Sequence, residues 1–335
     1  MAALLKRVPE LTLLVLVTIL AYVIMGTYSQ VSGTEALTPF AAWAIVAGSL
    51  VLSTIIAIVA VVGGVGGGVI FTPVMLGFTS VDTLLVRSTG LVVAMFSGLV
   101  SSGPFMRKGL ADIRIVFYCA IPIIIGAMAG SQVAIELSEN MGETGDAIVR
   151  LLLGGILIFI ALMFILGGSN TEYPQPKKID KFSKKMNLKS RYWEESLGKT
   201  VHYHATRAIS GSILFLLVGF TGGFFGLGGG WAVVPVLNLV MAVPLKVSAA
   251  SSGVLLAIGN AAAIWPYFVK GALIAVFAAP WMIGQVIGGI LGAHILAKVK
   301  ASFVRNILIV LLLLTSIKLV ARGVEGLLGI DIPLL

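Results

Sequence analysis

Apolar stretches of membrane length alternate with short polar joints along most of this chain. They fall at about 11–25, 41–62, 69–78, 84–103, 113–135, 148–167, 207–222, 231–242, 247–265, 273–296 and 303–321. A helix rises about 1.5 Å per residue, so about 20 apolar residues cross the hydrocarbon layer. The blocks at 69–78 and 231–242 are long enough for only about half of that crossing. Each follows a glycine run, VVGGVGGGVIFTP at 61–73 and GGFFGLGGGWAVVP at 222–235.

The two runs are landmarks of an internal duplication. Gly66, Gly67, Gly68 and Pro73 align with Gly228, Gly229, Gly230 and Pro235. Ser88, Thr89 and Gly90 align with Ser251, Ser252 and Gly253, and Pro122, Gly126 and Gly130 with Pro280, Gly284 and Gly288. If each short block carries the chain back across the membrane, each repeat has an odd number of passes and the second is inverted. Lys6, Arg7, Arg107, Lys108, Arg114, the 168–206 loop, Lys246, Lys298, Lys300 and Arg305 then share the cytoplasmic side, as the positive-inside rule requires. The acidic loop with Glu136, Glu139, Glu143 and Asp146 falls outside.

The expected fold is an all-α integral membrane bundle of two inverted repeats with broken, half-length helices. Residues 1–40 supply an N-terminal membrane helix and external loop, and 41–167 the first repeat. Residues 168–206 form a basic cytoplasmic loop, 207–321 the second repeat, and 322–335 a short external C-terminal tail. Lys6 and Arg7 before the apolar 11–25 block resemble a signal peptide, but no small-residue cleavage site follows and the segment reads as a retained helix.

Composition sharpens this reading. Of 335 residues 58% are hydrophobic and 11% charged, with mean hydropathy +1.07, against roughly 25% charged in an ordinary soluble domain. Cys119 is the single cysteine, which excludes a disulfide framework. The net charge of +9 lies mostly between the helices, where it reads as a topology signal and not a nucleic-acid footprint. The 168–206 loop, with KKIDKFSKKMNLKSRYWEE, reads as a solvated linker or as a segment held by anionic lipids.

Three adjacent glycines do not share a helix face, and each costs roughly 1 kcal/mol of helix propensity. They read as breaks. Neither run carries the Lys-Ser/Thr of a phosphate loop. A break at depth exposes backbone N–H groups, and the positive end of the half-helix that follows suits an anion. The expected anion site is therefore Gly66, Gly67 and Gly68 with Gly228, Gly229 and Gly230. Hydroxyls of Ser88, Thr89, Ser251 and Ser252 and the Asn260 amide stand near it in the sequence plan. Each hydroxyl has the alternative of bonding its own helix, and Asn260, Gln132 and Gln285 that of tying helices together. Arg87 either attracts the anion or snorkels to the outer surface. Trp231 and Trp265 either wall the site or anchor at an interface. No cofactor or metal set is indicated, and no nucleophile–base pair suggests an enzyme.

The repeated glycine pattern, GLGGGWAVVP at Gly226–Pro235 above all, with the hydroxyl stretches at Ser88 and Ser251 and the RKGLADIR and VKGALI turns, resembles the sulfite exporter TauE/SafE family over roughly 41–321. The resemblance implies export of small sulfur oxyanions or organosulfonates such as sulfoacetate. The expected protein is a multi-pass carrier in the cytoplasmic membrane. An anion channel on the same site, or a sensor using the basic loop, are the alternatives. The small-residue faces permit a homodimer as well as internal packing.

Overall fold

The computed structural model describes residues 39–63, 66–107, 109–166, 173–174, 176, 179–194, 198–296 and 301–329. The expected membrane helix at 11–25 and the cations Lys6, Arg7, Lys298 and Lys300 lie outside them. The described chain is overwhelmingly helical, as apolar segments in lipid must be to satisfy their own backbone groups.

In order, α1 (Pro39–Gly63) is followed by the short α2 (Gly68–Phe78), then α3 (Thr83–Arg107) and α4 (Ile113–Leu166). The basic segment holds a short helix α5 (Lys181–Lys185) and two antiparallel strands, β1 (Lys189–Glu194) and β2 (Lys199–His204). Then come α6 (Ala208–Phe225), the short α7 (Gly230–Pro235) with a π-helical turn at Val236–Val240, α8 (Leu245–Val269), α9 (Ala275–Leu296) and α10 (Ala301–Leu328). Five of the described helices carry a stretch long and apolar enough to cross a membrane, and the 51-residue stretch in α4 is long enough for two crossings.

Gly142, at φ +51 and ψ −128, reverses α4. Eight residues of straight helix would span about 12 Å, yet Ser138 Oγ donates to Asp146 Oδ1 at 3.2 Å. This bend marks one end of the bundle. Lys270 pairs with Glu139 there, and Ser88 Oγ donates to the Ala272 carbonyl in the turn after α8. Arg322 Nη1 bonds the Thr79 carbonyl at the foot of α2 at 2.8 Å. At the other end lie the hairpin, the α3–α4 turn and the foot of α7. Tyr203 OH donates to Asp112 Oδ2 at 2.5 Å, the Asp112 N–H to Ser251 Oγ at 3.0 Å, and the Thr206 N–H to the Met241 carbonyl at 2.9 Å. The short helices therefore do carry the chain back: α6 rises from the hairpin end and α7 returns to it, while α2 runs to the Gly142 end.

Close packing of the passes uses glycine. Gly126 and Gly130 of α4 abut the Leu216 and Phe220 carbonyls of α6, and Gly284 and Gly288 of α9 abut the Leu50 and Thr54 carbonyls of α1. Fourth pass of one half thus meets first pass of the other, both ways round. A Cβ at Gly284 would stand 2.8 Å from the Leu50 carbonyl oxygen, so only a residue without one allows this approach.

The basic segment is not the solvated linker expected. In β1 the outward Lys189, Arg191 and Trp193 alternate with Ser190, Tyr192 and Glu194, which turn inward. Leu188, Tyr192 and Ala205 join Val236, Leu237 and Met241 in one apolar cluster. Glu194, 1% exposed, bonds Lys246 at 2.5 Å and accepts from Tyr192 OH. The segment buries side chains against the bundle, which compensates for the small core it could make alone.

Candidate functional site

The glycine runs are breaks, and they meet. Gly66 (φ +80) and Gly228 (φ +68) occupy the left-handed region, which glycine enters without a Cβ clash. The chain re-enters helix two residues later, at Gly68 in α2 and Gly230 in α7. A Cβ built on Gly66 would stand 3.8 Å from the Gly230 Cα. A Cβ on Gly68 would stand 2.5 Å from the Leu227 carbonyl oxygen. The two half-helices start beside each other and run to opposite ends, so their positive ends converge.

Pro73 and Pro235 are each the sixth residue of their helix, beyond its first turn. Beyond Pro235 the helix widens into the π turn, the kind of local adjustment that relieves a proline's missing N–H.

Polar groups around the crossing come from three longer helices. Ser97 Oγ of α3 accepts the Gly67 N–H at 3.2 Å. Val93, one turn before Ser97 on the same helix, also reaches Gly67, and Thr89 lies one turn further along that face. Thr89 Oγ1 is buried and has no hydrogen-bond partner. From α8, the Asn260 amide lies 3.0 Å from where a Gly228 Cβ would be, and its Nδ2 is a buried donor without a partner. From α9, Gln285 Nε2 donates to the Ser53 carbonyl at 3.2 Å, which fixes the amide and turns Oε1, also unpartnered, toward Gly67. Trp231, first residue after Gly230, buries an indole N–H without a partner. A small space of about 10 Å³ bordered by Gly222, Gly229, Leu256 and Asn260 has the size for one water.

Other sequence-nominated groups are engaged elsewhere. Ser88 Oγ is held by Leu85 and Ala272 carbonyls, Ser251 Oγ accepts from Asp112, and Ser252 Oγ bonds its own helix at Ala249. Arg87 is fully buried and does not snorkel. Its guanidinium points toward the Gly142 end, donating to the Phe224 carbonyl at 3.3 Å, the Thr83 carbonyl at 3.3 Å and Ser138 Oγ at 2.7 Å, with Asp146 at 4.0 Å. A cation on the last carbonyls of α6 offsets that helix's negative end. Gln132 bonds Glu136 on the exposed face of α4. Trp265 is 59% exposed, stacks on Phe268 and does not wall the crossing, to which Trp231 belongs.

Ser97 completes the crossing beyond the nominated set, and Gln285, an amide weighed from the sequence beside Asn260 and Gln132, takes part in it. The repeat alignment carries the signal for Ser97: the register that pairs Ser88 with Ser251 pairs Ser97 with Asn260. Gln285 has no such signal, since its counterpart one residue past Gly126 is Ala127.

Three comparisons bear on this arrangement. The family model described as Sulfite exporter TauE/SafE matches residues 49–319. The chain is 25% identical over 270 residues to the probable membrane transporter protein YunE of Bacillus subtilis (strain 168), covering 78% of this chain and 92% of that protein. No solved structure matches.

Proposed function

The chain belongs to the sulfite exporter TauE/SafE family of membrane transporters, and on that premise we propose that it carries a small sulfur oxyanion or organosulfonate out across the cytoplasmic membrane. The anion sits where α2 and α7 begin. The meeting of Gly66 with Gly230 carries this reading. Each helix start contributes an effective charge of roughly +0.5, and away from water such dipoles act at full strength. Asn260 Nδ2, Trp231 Nε1 and Thr89 Oγ1 are unpartnered polar groups of the kind an anion's oxygens engage. Gly66, Gly68 and Gly228–Gly230 supply backbone N–H groups, while that of Gly67 donates to Ser97 Oγ. Ser88 and Ser251 hold the helices that frame the site, Ser252 bonds its own helix, and Arg87 locks α3 to the Gly142 bend.

The small space beside Gly229 does not admit sulfite, so loading requires the halves to part on one side at a time, as in carriers with a midplane site between repeats. The reciprocal packing of α4 on α6 and α9 on α1 supports an inverted duplication. On the positive-inside rule the hairpin end is cytoplasmic and the Gly142 end external. An inside-negative potential then drives one negative charge outward by about 2.3 kcal/mol per 100 mV, which supplies export without a coupling ion.

The test is efflux of labelled sulfite and of a small sulfonate from liposomes holding purified protein at clamped potential, with Gly229→Leu alongside. A leucine there would fill the space beside Asn260, where even a Cβ would stand 2.9 Å from Val218. Saturable, potential-driven flux that disappears in the folded variant supports the carrier. Flux that never saturates makes it a channel, and no flux of either anion removes the substrate class.

A further inference from the structure

Two grooves meet at Arg114, at the hairpin end and away from the glycine crossing. One, of about 760 Å³, is lined by Arg114 together with Lys189, Arg191, His202, Tyr203 and His204 of the hairpin, and no carboxylate lines it among the described residues. Strand register sets Lys189 opposite His204 and Arg191 opposite His202. An anion seated among them meets two fixed cations, Lys189 and Arg191, on one strand.

The second groove, of about 810 Å³, is almost wholly apolar. Ile113, Phe117, Ile121 and Ile124 of α4 form one wall, and Val254 and Ile258 of α8 belong to the other. Phe117 is 72% exposed and Ile121 64%. From Ile113 to Ile124 the groove follows α4 for about 16 Å, the scale of a lipid acyl chain. Arg114 lines both grooves, and its Nη1 donates to the Lys189 carbonyl at 3.4 Å, which holds the guanidinium at their junction.

We propose that the two grooves together seat one anionic phospholipid, its phosphate among Arg114, Lys189 and Arg191 and an acyl chain along Phe117–Ile124. A soluble phosphate ester satisfies the basic groove and leaves the apolar one empty. A neutral lipid does the reverse. Only a molecule with both parts, joined at the headgroup, matches grooves joined at an arginine. The seat lies against α8 one turn beyond Ser251, the side chain that receives the Asp112 N–H. The lipid thus packs on the helix that carries Asn260.

Native mass spectrometry of the purified full chain tests this independently of any transported substrate. The probes are phosphatidylglycerol, phosphatidylcholine with the same acyl chains, and glycerol phosphate. Wild type is expected to retain phosphatidylglycerol over phosphatidylcholine. The double variant Lys189→Gln/Arg191→Gln, changed at two exposed positions and checked for an unaltered melting temperature, loses that preference by about thirtyfold. Phe117→Ala weakens retention of both lipids and keeps their ratio, while excess glycerol phosphate displaces neither. Equal retention of the two lipids by wild type, or a preference that survives in the double variant, overturns the proposal. Tight binding of glycerol phosphate without lipid preference also overturns it and gives the pocket to a soluble phosphate ester.

Discussion

The Cα of Gly230 lies 3.8 Å from the point where a Cβ on Gly66 would stand, so the two glycine breaks are one structural feature. A Cβ on Gly66 would make only ordinary contact there, and its cost lies in the left-handed backbone at φ +80. Gly68→Ala is the sharpest probe, because its new methyl would meet backbone, the Leu227 carbonyl oxygen at 2.5 Å and that of Gly90 at 2.9 Å. Backbone cannot rotate away, and overpacking of this kind costs about 1–3 kcal/mol. Gly155→Ala in α4 is the control, with nothing within 4 Å. It is expected to be neutral or to stabilise by up to about 1 kcal/mol through helix propensity. Thermal unfolding in detergent should separate the two; a Gly68→Ala melt equal to wild type would show that the crossing is loose.

Arg87 predicts a different kind of loss. Its buried guanidinium joins α3 to the end of α6 and to the Gly142 bend. Asp146 also accepts from Thr83 Oγ1 at 2.8 Å. Arg87→Gln leaves carbonyls and a carboxylate without their cation, and breaking a buried pair in this way costs about 3–5 kcal/mol. Asp146 is 25% exposed, and Asn in its place still accepts from Thr83. The expected loss for Asp146→Asn is about 1–3 kcal/mol. Melting temperatures in that order check the clamp. Arg87→Gln with wild-type stability and lost flux would instead return Arg87 to the transport path.

The breaks, the returning short helices and the glycine-lined packing were legible because each depends on backbone, and backbone needs show as glycine spacing. Ser88, Ser251 and Arg87 were legible as residues but not as roles. Whether a hydroxyl faces an anion or a carbonyl depends on the neighbouring turn, and Ala272 and Asp112 are far from those serines in sequence. The hairpin was missed since the inward face of β1 is only Ser190, Tyr192 and Glu194, to which β2 adds just Val201 and Tyr203. That is too little apolar alternation to announce a strand, and its burial is supplied by α6, α7 and Lys246.

Docking of the hairpin segment should depend on acid. Asp180 caps α5, accepting from Ser183 N–H at 2.9 Å and also from Thr206 Oγ1 and the Arg207 N–H. Burial works to raise its pKa, yet these hydrogen bonds hold the carboxyl down at about 2. The folded value lies below the unfolded one of about 3.9, so the cap's contribution is complete above about pH 4 and is lost as pH falls toward about 2. Hydrogen exchange of residues 183–207, corrected for intrinsic rates, should quicken over that window in wild type. Asp180→Asn should exchange faster at neutral pH and show no such step. A step that persists in the variant would assign the acid response to another group.

Asn260 separates stability from transport. If its unpartnered Nδ2 is a ligand donor, Asn260→Ala weakens anion binding by the value of a hydrogen bond to a charged group, about tenfold to a hundredfold. Asn260→Asp goes further, placing a carboxylate beside Gly228 at the meeting of two helix starts. Such a carboxylate is itself stabilised there, so this variant should melt at or above the wild-type temperature. It should also pass less sulfite than Asn260→Ala, because the protein now supplies its own anion. An amide that only ties helices together predicts the reverse pairing: Asn260→Asp would melt earlier through a buried charge, and flux would fall only in step with folded protein. Melting temperature and liposome efflux measured on the same preparations distinguish the two roles.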